Sequence, residues 1–289
     1  MPMTAARFFA ADPKEIWPAQ EDSFFNELRT NNATYKTTAH DRFADLDAAC
    51  IALLRQSGRP IREVLDIGVS SGTTTLALYD RLREAGIDAR VTGTDRSVSG
   101  HLVRVLPGVR TLLDDGGAPI QHDLFGLPVR PWFRRADRYT GMRGVRSALN
   151  ATLGGRARRL VAAGASGASA VRLVSPRLAE RPRVTIECND IFVPTAAYYR
   201  RFDLVRVANL LHPGYFSVEQ LRLGIAHTVS YLSGPGAWLL LARTLKRRHV
   251  ATLFRVSDDG ARLEIADRFN GGAEAEWLAL EAPLPAWNK

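Results

Sequence analysis

The sequence predicts an α/β fold built on a mostly parallel, doubly wound sheet of seven strands. Three observations predict it: apolar runs of strand length alternate with helical patterns, a strand enters a glycine-spaced turn at residues 64–73, and a hairpin signal lies at residues 258–260. The alternation favours parallel strands, whereas the hairpin predicts an antiparallel edge strand. N-terminal helices precede this three-layer arrangement, and an Arg-rich insertion interrupts it.

The first strand and its turn carry the strongest functional signal. The run at residues 64–67 is mostly apolar, and Gly68 and Gly72 let the backbone bend sharply and approach a ligand. The helix that follows points its free N–H groups at the same place. Asp66, near the end of the strand, can accept hydrogen bonds from a ligand cation or amine. We therefore expect a nucleotide-type cofactor loop here, and it includes Ser70.

A second strand over residues 89–95 ends at Asp95, 23 residues after Gly72. An acidic side chain at such a strand end can bind the two hydroxyls of a ribose. The dinucleotide fingerprint G-x-G-x-x-G does not fit, because Ser70 and Thr73 stand where its second and third glycines belong. This weakens the case for a diphosphate-binding loop.

The pattern D-x-G-x-x-x-G at Asp66, Gly68 and Gly72 resembles the first motif of class I S-adenosylmethionine-dependent methyltransferases, which have a Rossmann-like sheet. The resemblance implies S-adenosylmethionine as cofactor, with its methionine end on the loop and its ribose on Asp95. Ser70 replaces the commonest middle glycine of that motif. The alternative is a turn that only links a strand to a helix, as in any doubly wound protein.

Two later strands extend the resemblance. Residues 184–192 are similar to the third strand of the family, and Asp190 with Ile191 falls where the family contacts adenine. Residues 202–209 are similar to the fourth strand, which in the family ends beside the methyl group. The implied cofactor-binding residues are Asp66, Gly68, Ser70, Gly72, Asp95, Arg96, Asp190, Ile191 and Asn209.

The C-terminal third predicts the remaining elements. Ser217 and Gln220 form a capping-box pattern before an amphipathic helix, and the apolar run at residues 237–242 fits a buried fifth strand. Strands on both sides of the hairpin signal complete the sheet. Residues 277–280 are expected to add another strand. The order of these last strands stays open.

The length of 289 residues and the hydrophobic content of 46% fit one substantial core. We expect residues 59–289 to form a methyltransferase domain, with a basic insertion at about 125–183 and an N-terminal helical lid or cap at residues 1–58. Tyr35 and Lys36 are candidate lid contacts. Two cysteines without metal-ligand spacing and six scattered histidines favour no metal site.

Basic charge is concentrated in one segment. Residues 130–183 contain 13 Arg and two acidic residues, a net charge of 13 − 2 = +11, whereas the whole chain carries +9, which leaves 9 − 11 = −2 elsewhere. Such a segment is expected to meet an anionic partner. Aromatic residues among the arginines, such as Trp132 and Tyr139, suit a membrane interface or stacking on nucleic-acid bases. A solvated, mobile insertion is the other interpretation.

The start of the chain does not resemble a signal peptide, and no run approaches the ~18 apolar residues of a membrane span. The sequence therefore favours a cytoplasmic protein, and peripheral attachment to a membrane stays open. The oligomeric state is not indicated.

The predicted reaction is methyl transfer to an oxygen or nitrogen of an unidentified acceptor. The positive charge of the basic insertion favours an anionic acceptor. If the acceptor must lose a proton, His212 is the best-placed general base, although a loop histidine that caps backbone groups fits as well. The layout also has a weak similarity to chemotaxis-receptor methyltransferases, carried by Asn209, Tyr215 and Phe216. The alternative function is a non-catalytic binding module that docks to a membrane or nucleic acid through its arginines.

Overall fold

The structure is a computed structural model that describes residues 3–29, 42–133, 135–245 and 248–287. The predicted lid contacts Tyr35 and Lys36 lie outside the described residues. The described helices are α1 (Ala5–Ala10), α2 (Pro18–Asn26), α3 (Ala44–Gln56), α4 (Thr73–Glu84), α5 (Met142–Leu149), α6 (Gly155–Ala162), α7 (Val218–Ser230) and α8 (Glu276–Glu281). The strands are β1 (Glu63–Ile67), β2 (Arg90–Asp95), β3 (Ser99–Leu106), β4 (Val109–Asp114), β5 (Pro119–Leu124), β6 (Leu127–Val129), β7 (Ala168–Arg172), β8 (Val184–Cys188), β9 (Leu204–Ala208), β10 (Trp238–Leu245), β11 (Arg248–Val256) and β12 (Leu263–Phe269).

The chain divides into two compact units. The sheet unit comprises residues 41–69, 74–96 and 181–289, and the insertion unit comprises residues 1–40, 70–73 and 97–180, in each case where the structure describes them. No helix among the described residues is long and apolar enough to cross a membrane.

The sheet unit contains a mixed, mostly parallel sheet of seven strands, as predicted. Its strand order is β12-β11-β10-β9-β1-β2-β8, and the neighbours from β10 to β8 are parallel. The predicted antiparallel edge strand is wrong in one respect: the antiparallel strand is β11, which lies inside the sheet between β10 and β12. Only two residues separate β10 from β11, so these strands pair as a hairpin and β12 becomes the edge.

Core residues lie on both sides of this sheet. Leu65 belongs to a cluster with Ile225 of α7 and Leu278 of α8, whereas its neighbour Val64 belongs to a cluster with Leu54 of α3. Successive side chains of a strand point to opposite faces, which explains why adjacent residues join different clusters. Strands buried on both faces read as continuous apolar runs, and this is why the sequence revealed them.

The strand predicted at residues 277–280 is wrong, because this segment forms helix α8. Leu278 and Ala279 are buried, whereas Trp277 and Leu280 are 46% and 42% exposed. Two adjacent buried residues between two exposed ones fit a helix, whereas a strand would show alternating burial. A four-residue apolar run is too short to distinguish a helix from a strand in the sequence.

The insertion unit contains a second sheet that the sequence did not reveal. Its five antiparallel strands have the order β6-β5-β4-β3-β7. Helices α5 and α6, joined by a π-helical turn at Asn150–Gly154, supply Ala157 to a core with Val103 and Leu113, and a separate core contains Phe8 of α1 and Phe24 of α2.

The domain boundaries of the structure differ from those predicted. The insertion starts at residue 97 and not near residue 125, because β3 to β6 belong to its sheet. Residues 1–58 are not one cap, because α1 and α2 belong to the insertion unit whereas α3 packs within the sheet unit. The Gly- and Ser-rich stretch at residues 164–169 includes the first two residues of β7.

Candidate cofactor site

The carboxyl ends of parallel strands create the candidate site. From β1 the chain adds β2 and β8 on one side, and later β9 and β10 on the other, so the strand order reverses between β1 and β9. Ligands of open α/β sheets bind at such a switch point. Asp66, Asp95 and Asn209 lie at or directly after the ends of these strands, and Asp190 and His212 follow within a few residues.

The turn after β1 has the backbone that its sequence predicts. Gly68, Ser70 and Gly72 have φ angles of 81°, 58° and 76°. The N–H of Gly68 and the N–H of Val69 both donate to the carbonyl oxygen of Thr94, at 2.7 and 3.1 Å, which ties the turn to β2. A Cβ atom at Gly68 would lie 3.2 Å from Leu210, so glycine suits both the φ angle and the space.

The later part of the turn, residues 70–73, belongs to the insertion unit and contacts other residues of that unit. The N–H of Ser175 donates to the carbonyl oxygen of Ser71 at 2.7 Å. A Cβ atom at Gly72 would lie only 2.5 Å from Cδ1 of Leu178. Gly72 therefore allows a close approach of the protein's own chain, in addition to its positive φ angle.

Asp66 is engaged inside the fold. It is 2% exposed, and Nε and NH2 of Arg206 donate to its Oδ1 and Oδ2 atoms at 2.9 and 2.7 Å. The hydroxyl of Thr75, in the first turn of α4, donates to Oδ2 at 2.7 Å. Asp66 thus joins the end of β1 to β9 and to α4, and its predicted contact with the cofactor stays a prediction.

Arg206, which the sequence analysis missed, is the centre of this network. It is 1% exposed, and its NH1 donates to Oδ1 and Oδ2 of Asp47 at 2.9 and 3.1 Å. Its NH2 also donates to the carbonyl oxygen of Thr74 at 3.1 Å. Burial alone would lower the pKa of Arg206, but attraction by Asp66 and Asp47 outweighs burial and raises it. An arginine within an otherwise apolar strand was the signal for a buried ion pair.

Asp95, Arg96 and Asp190 come together at neighbouring strand ends. Asp95 is half-buried, and its carbonyl oxygen accepts from the N–H of Asn189 at 3.0 Å. Nε of Arg96 lies 3.3 Å from Oδ2 of Asp190, whose Oδ1 accepts from a backbone N–H. Ile191 is buried beside them. The structure therefore places an acid, an ion pair and an apolar side chain in one region, and their predicted contact with a cofactor stays a prediction.

Asn209, the last predicted cofactor contact, is held by β10. Its φ angle is 56°, and its Oδ1 accepts from the N–H of Thr244 at 2.6 Å. Its Nδ2 donates to the hydroxyl of Thr244 at 3.3 Å. The side-chain amide thus fixes the end of β9 against β10.

His212 follows β9 and is 8% exposed. Burial, and then repulsion by Arg243, lower its pKa to about 4, so the ring is neutral at physiological pH. Its Nδ1 accepts from the N–H of Gly214 at 3.1 Å. A neutral imidazole that accepts at Nδ1 carries its proton on Nε2. In this arrangement His212 presents a hydrogen-bond donor, and a role as base would require the ring to release Gly214.

Among the described residues, no group of three or more His, Cys, Asp or Glu side chains is arranged to hold a metal ion.

No family model and no curated protein matches this sequence. Solved structures with a similar fold include the N-methyltransferase NodS from Bradyrhizobium japonicum WM9 in complex with S-adenosyl-L-homocysteine (18% identity, 69% of this chain and 61% of that chain, TM-score 0.32). They also include CalS10 from Micromonospora echinaspora, an amino pentose methyltransferase with S-adenosylmethionine bound (14%, 82% and 79%, 0.33), and a putative Zn-dependent alcohol dehydrogenase from Rhodobacter sphaeroides (18%, 64% and 42%, 0.29).

This chain spans less than two thirds of the length of the NodS structure. The TM-scores are too low for these similarities to identify a family or a function by themselves.

Proposed function

We propose that this protein is an S-adenosylmethionine-dependent methyltransferase that acts on an oxygen or nitrogen atom of its acceptor. One observation carries the proposal: the glycine-spaced turn lies at the switch point of the sheet, and the acidic Asp95 stands at the end of the adjacent strand. A nucleoside cofactor needs this pair of features, a turn that its polar end can approach and an acid for its ribose.

The adenosine half of the cofactor fits the region around Asp95. The carboxylate of Asp95 would accept hydrogen bonds from the ribose hydroxyls, and buried Ile191 would pack against the adenine ring. Asp190, held by Arg96, would accept from the adenine amino group. These are the roles that the sequence resemblance implied.

Asp66 has a supporting role in this proposal. Because Arg206 and Thr75 take up its carboxylate, it holds β1, β9 and α4 in the positions that shape the turn. A charge network of this kind fixes geometry and leaves the backbone of the turn to contact the cofactor.

The sulfonium of the cofactor supplies an activated methyl group, so the protein mainly has to align the acceptor atom with it. The N–H at Nε2 of His212, just after β9, would orient an acceptor oxygen. A carboxylate acceptor would need no base. An anionic acceptor fits the nearby cation Arg243, whose charge is shared with Glu274.

Calorimetric titration with S-adenosylmethionine and S-adenosylhomocysteine tests this proposal. We expect the wild-type protein to bind both, and Asp95→Ala to bind at least about tenfold more weakly, because a charge-assisted hydrogen bond to the ribose is lost. Asp88→Ala is the matched control, since Asp88 is exposed and pairs with Arg83 and Arg183. Absence of binding by folded wild-type protein would reject the methyltransferase function.

A second candidate function is a non-catalytic module that docks to a membrane surface or to nucleic acid. Exposed arginines on α5 and α6 favour it: Arg143, Arg156 and Arg159 all face solvent within the insertion unit. The retained Asp95 and the intact turn favour the enzyme over this candidate.

A further inference from the structure

Two turns lie side by side at one end of the sheet in the insertion unit. Strand β3 turns into β4 at residues 107–108, and β5 turns into β6 at residues 125–126. The N–H of Phe125 donates to the carbonyl oxygen of Gly108 at 2.8 Å. A Cβ atom at Gly108 would lie 2.6 Å from Cδ1 of Phe125, so the phenyl ring lies against the backbone of the other turn. The two turns therefore form one surface.

Apolar side chains are exposed on this surface. Four apolar residues form a row across the strands, each the register partner of the next: Leu106, Val109, Leu124 and Leu127. The two ends of the row, Leu106 and Leu127, are 42% and 70% exposed, and Phe125 is 80% exposed. Neighbouring apolar side chains that are exposed together indicate an interaction surface. We call residues 106–109 and 124–127 the sheet tip.

Neither the turn nor the core accounts for Phe125. Leu124 pairs with Leu127, so the loop between them has two residues, and the φ angles are 53° at Phe125 and 87° at Gly126. A two-residue hairpin loop with positive φ angles prefers Asn, Asp or Gly, because bulky side chains are strained there. Gly126 fits this preference and Phe125 does not. A strained and exposed aromatic residue indicates that its side chain serves binding.

Arginines lie beside the sheet tip. Arg104 and Arg110 are register partners on β3 and β4, and NH2 of Arg7 lies 3.5 Å from the position that a Cβ atom at Gly126 would take. Arg110 also lies 3.8 Å from the carboxylate of Asp123, which offsets one of these positive charges. Like charges directly opposite each other on neighbouring strands destabilise a sheet. This arrangement therefore favours an anionic partner.

We propose that the sheet tip docks to a membrane surface that contains anionic phospholipids. The side chains of Phe125, Leu106 and Leu127 enter the boundary between headgroups and acyl chains, and the arginines meet the phosphates. Nucleic acid fits this surface less well, because aliphatic side chains offer bases no ring on which to stack. The sheet tip contains none of the arginines of α5 and α6, and the inference does not depend on the proposed methyltransferase function.

Flotation of the full chain with lipid vesicles tests this inference. One set of vesicles contains phosphatidylcholine alone, and the other contains about one quarter phosphatidylserine. We expect the wild-type protein to bind the second set, and Phe125→Asn combined with Leu127→Thr to bind it at least about tenfold more weakly. Arg7→Gln combined with Arg104→Gln should reduce the preference for phosphatidylserine. Tyr199→Asn is the control, since Tyr199 is an aromatic residue of the sheet unit that is 53% exposed.

A stability measurement separates membrane docking from a structural role. Asn suits the positive φ angle at position 125 and Thr suits an exposed strand, so the Phe125→Asn, Leu127→Thr variant should keep the wild-type Tm. Phe125→Trp keeps an aromatic ring and should retain vesicle binding. Wild-type protein that binds neither set of vesicles, or a double variant that binds as the wild type does, would overturn the inference. Self-association in place of vesicle binding, lost in the double variant, would assign the sheet tip to a second copy of the chain.

Discussion

Arg206 and Asp66 form a two-point ion pair in the interior of the sheet unit, with Nε–Oδ1 and NH2–Oδ2 distances of 2.9 and 2.7 Å. Asp47 of α3 binds the remaining NH1 of the same guanidinium. Arg206 therefore links the strand that leads into the glycine turn to the helix that precedes it. Buried charges of this kind are stable only as a complete set, because each carboxylate depends on the shared cation.

Replacing Arg206 by Met should destabilise the protein strongly, because Asp47 and Asp66 would stay buried without their cation. Removal of one partner from a buried ion pair costs about 3–5 kcal/mol of unfolding free energy. Urea unfolding of the variant measures this cost. Arg262→Met is the control: its pair with Glu264 is exposed and should contribute at most about 1 kcal/mol. A similar small loss for Arg206→Met would contradict the network.

Asp66→Asn, compared with Asp47→Asn, tests whether Asp66 also contacts the cofactor. Each change removes one carboxylate charge from Arg206, so we expect losses of unfolding free energy of the same order. If Asp66 acts only through Arg206, the two variants also lose S-adenosylhomocysteine affinity by similar factors, which calorimetry would measure. A loss at least about tenfold greater for Asp66→Asn would show a direct contact and would contradict the supporting role.

Gly72→Ala should disrupt the turn for two separable reasons. Its positive φ angle costs an alanine about 1 kcal/mol, and the new methyl group would meet Leu178 at 2.5 Å, which adds about 1–3 kcal/mol. Gly58→Ala isolates the first cost, because the φ angle of Gly58 is 66° and an added Cβ atom would lie more than 4 Å from every heavy atom outside Gly58 and its chain neighbours. Adding Leu178→Ala should relieve part of the second cost; additive free energies in the double mutant would refute the contact.

The sequence predicted correctly those elements that depend only on residues close to one another in the chain. The apolar run of β1, the turn at Gly68 and Gly72, and the capping box at Ser217 each depend on residues within a few positions. An arginine within an apolar strand indicates a buried ion pair but does not identify its partners. Asp47 is 159 residues away from Arg206, and no residue near β9 points to Asp47 as the partner.

The sheet of the insertion unit escaped prediction for a related reason. β5 contains Gln121, His122 and Asp123, which are polar yet buried. Gln121 accepts from the N–H of Ala5, 116 residues away, and His122 contacts Thr111 and Asn150. Because these partners are supplied by other elements, the residues do not show the alternation by which a half-buried strand is recognised.

His212 should make stability depend on pH below neutrality. Its folded pKa of about 4 lies below the ordinary value near 6.5, so the unfolded chain binds a proton first as the pH falls. The contribution is complete above about pH 6.5 and is lost progressively toward pH 4, and the total loss is at most about 3 kcal/mol. His212→Asn keeps an acceptor for Gly214 but does not titrate, so its unfolding free energy should fall less over this range. Parallel pH profiles of the two proteins would contradict the shift.

Charge reversal at Arg143, Arg156 and Arg159 tests the docking surface. We expect the triple Glu variant to bind anionic vesicles or single-stranded RNA at least about tenfold more weakly near 100 mM salt, because such binding depends on the number of cations that meet the anion. Its affinity for S-adenosylhomocysteine should not change, since none of the three is a predicted cofactor contact. A matched variant with Glu at Arg55, Arg62 and Arg248, which are exposed in the sheet unit, controls for net charge. A loss of affinity for RNA alone would identify a nucleic-acid surface, and a loss of affinity for vesicles alone would identify a membrane surface. Equal affinities of the two triple variants would reject a specific docking surface on α5 and α6.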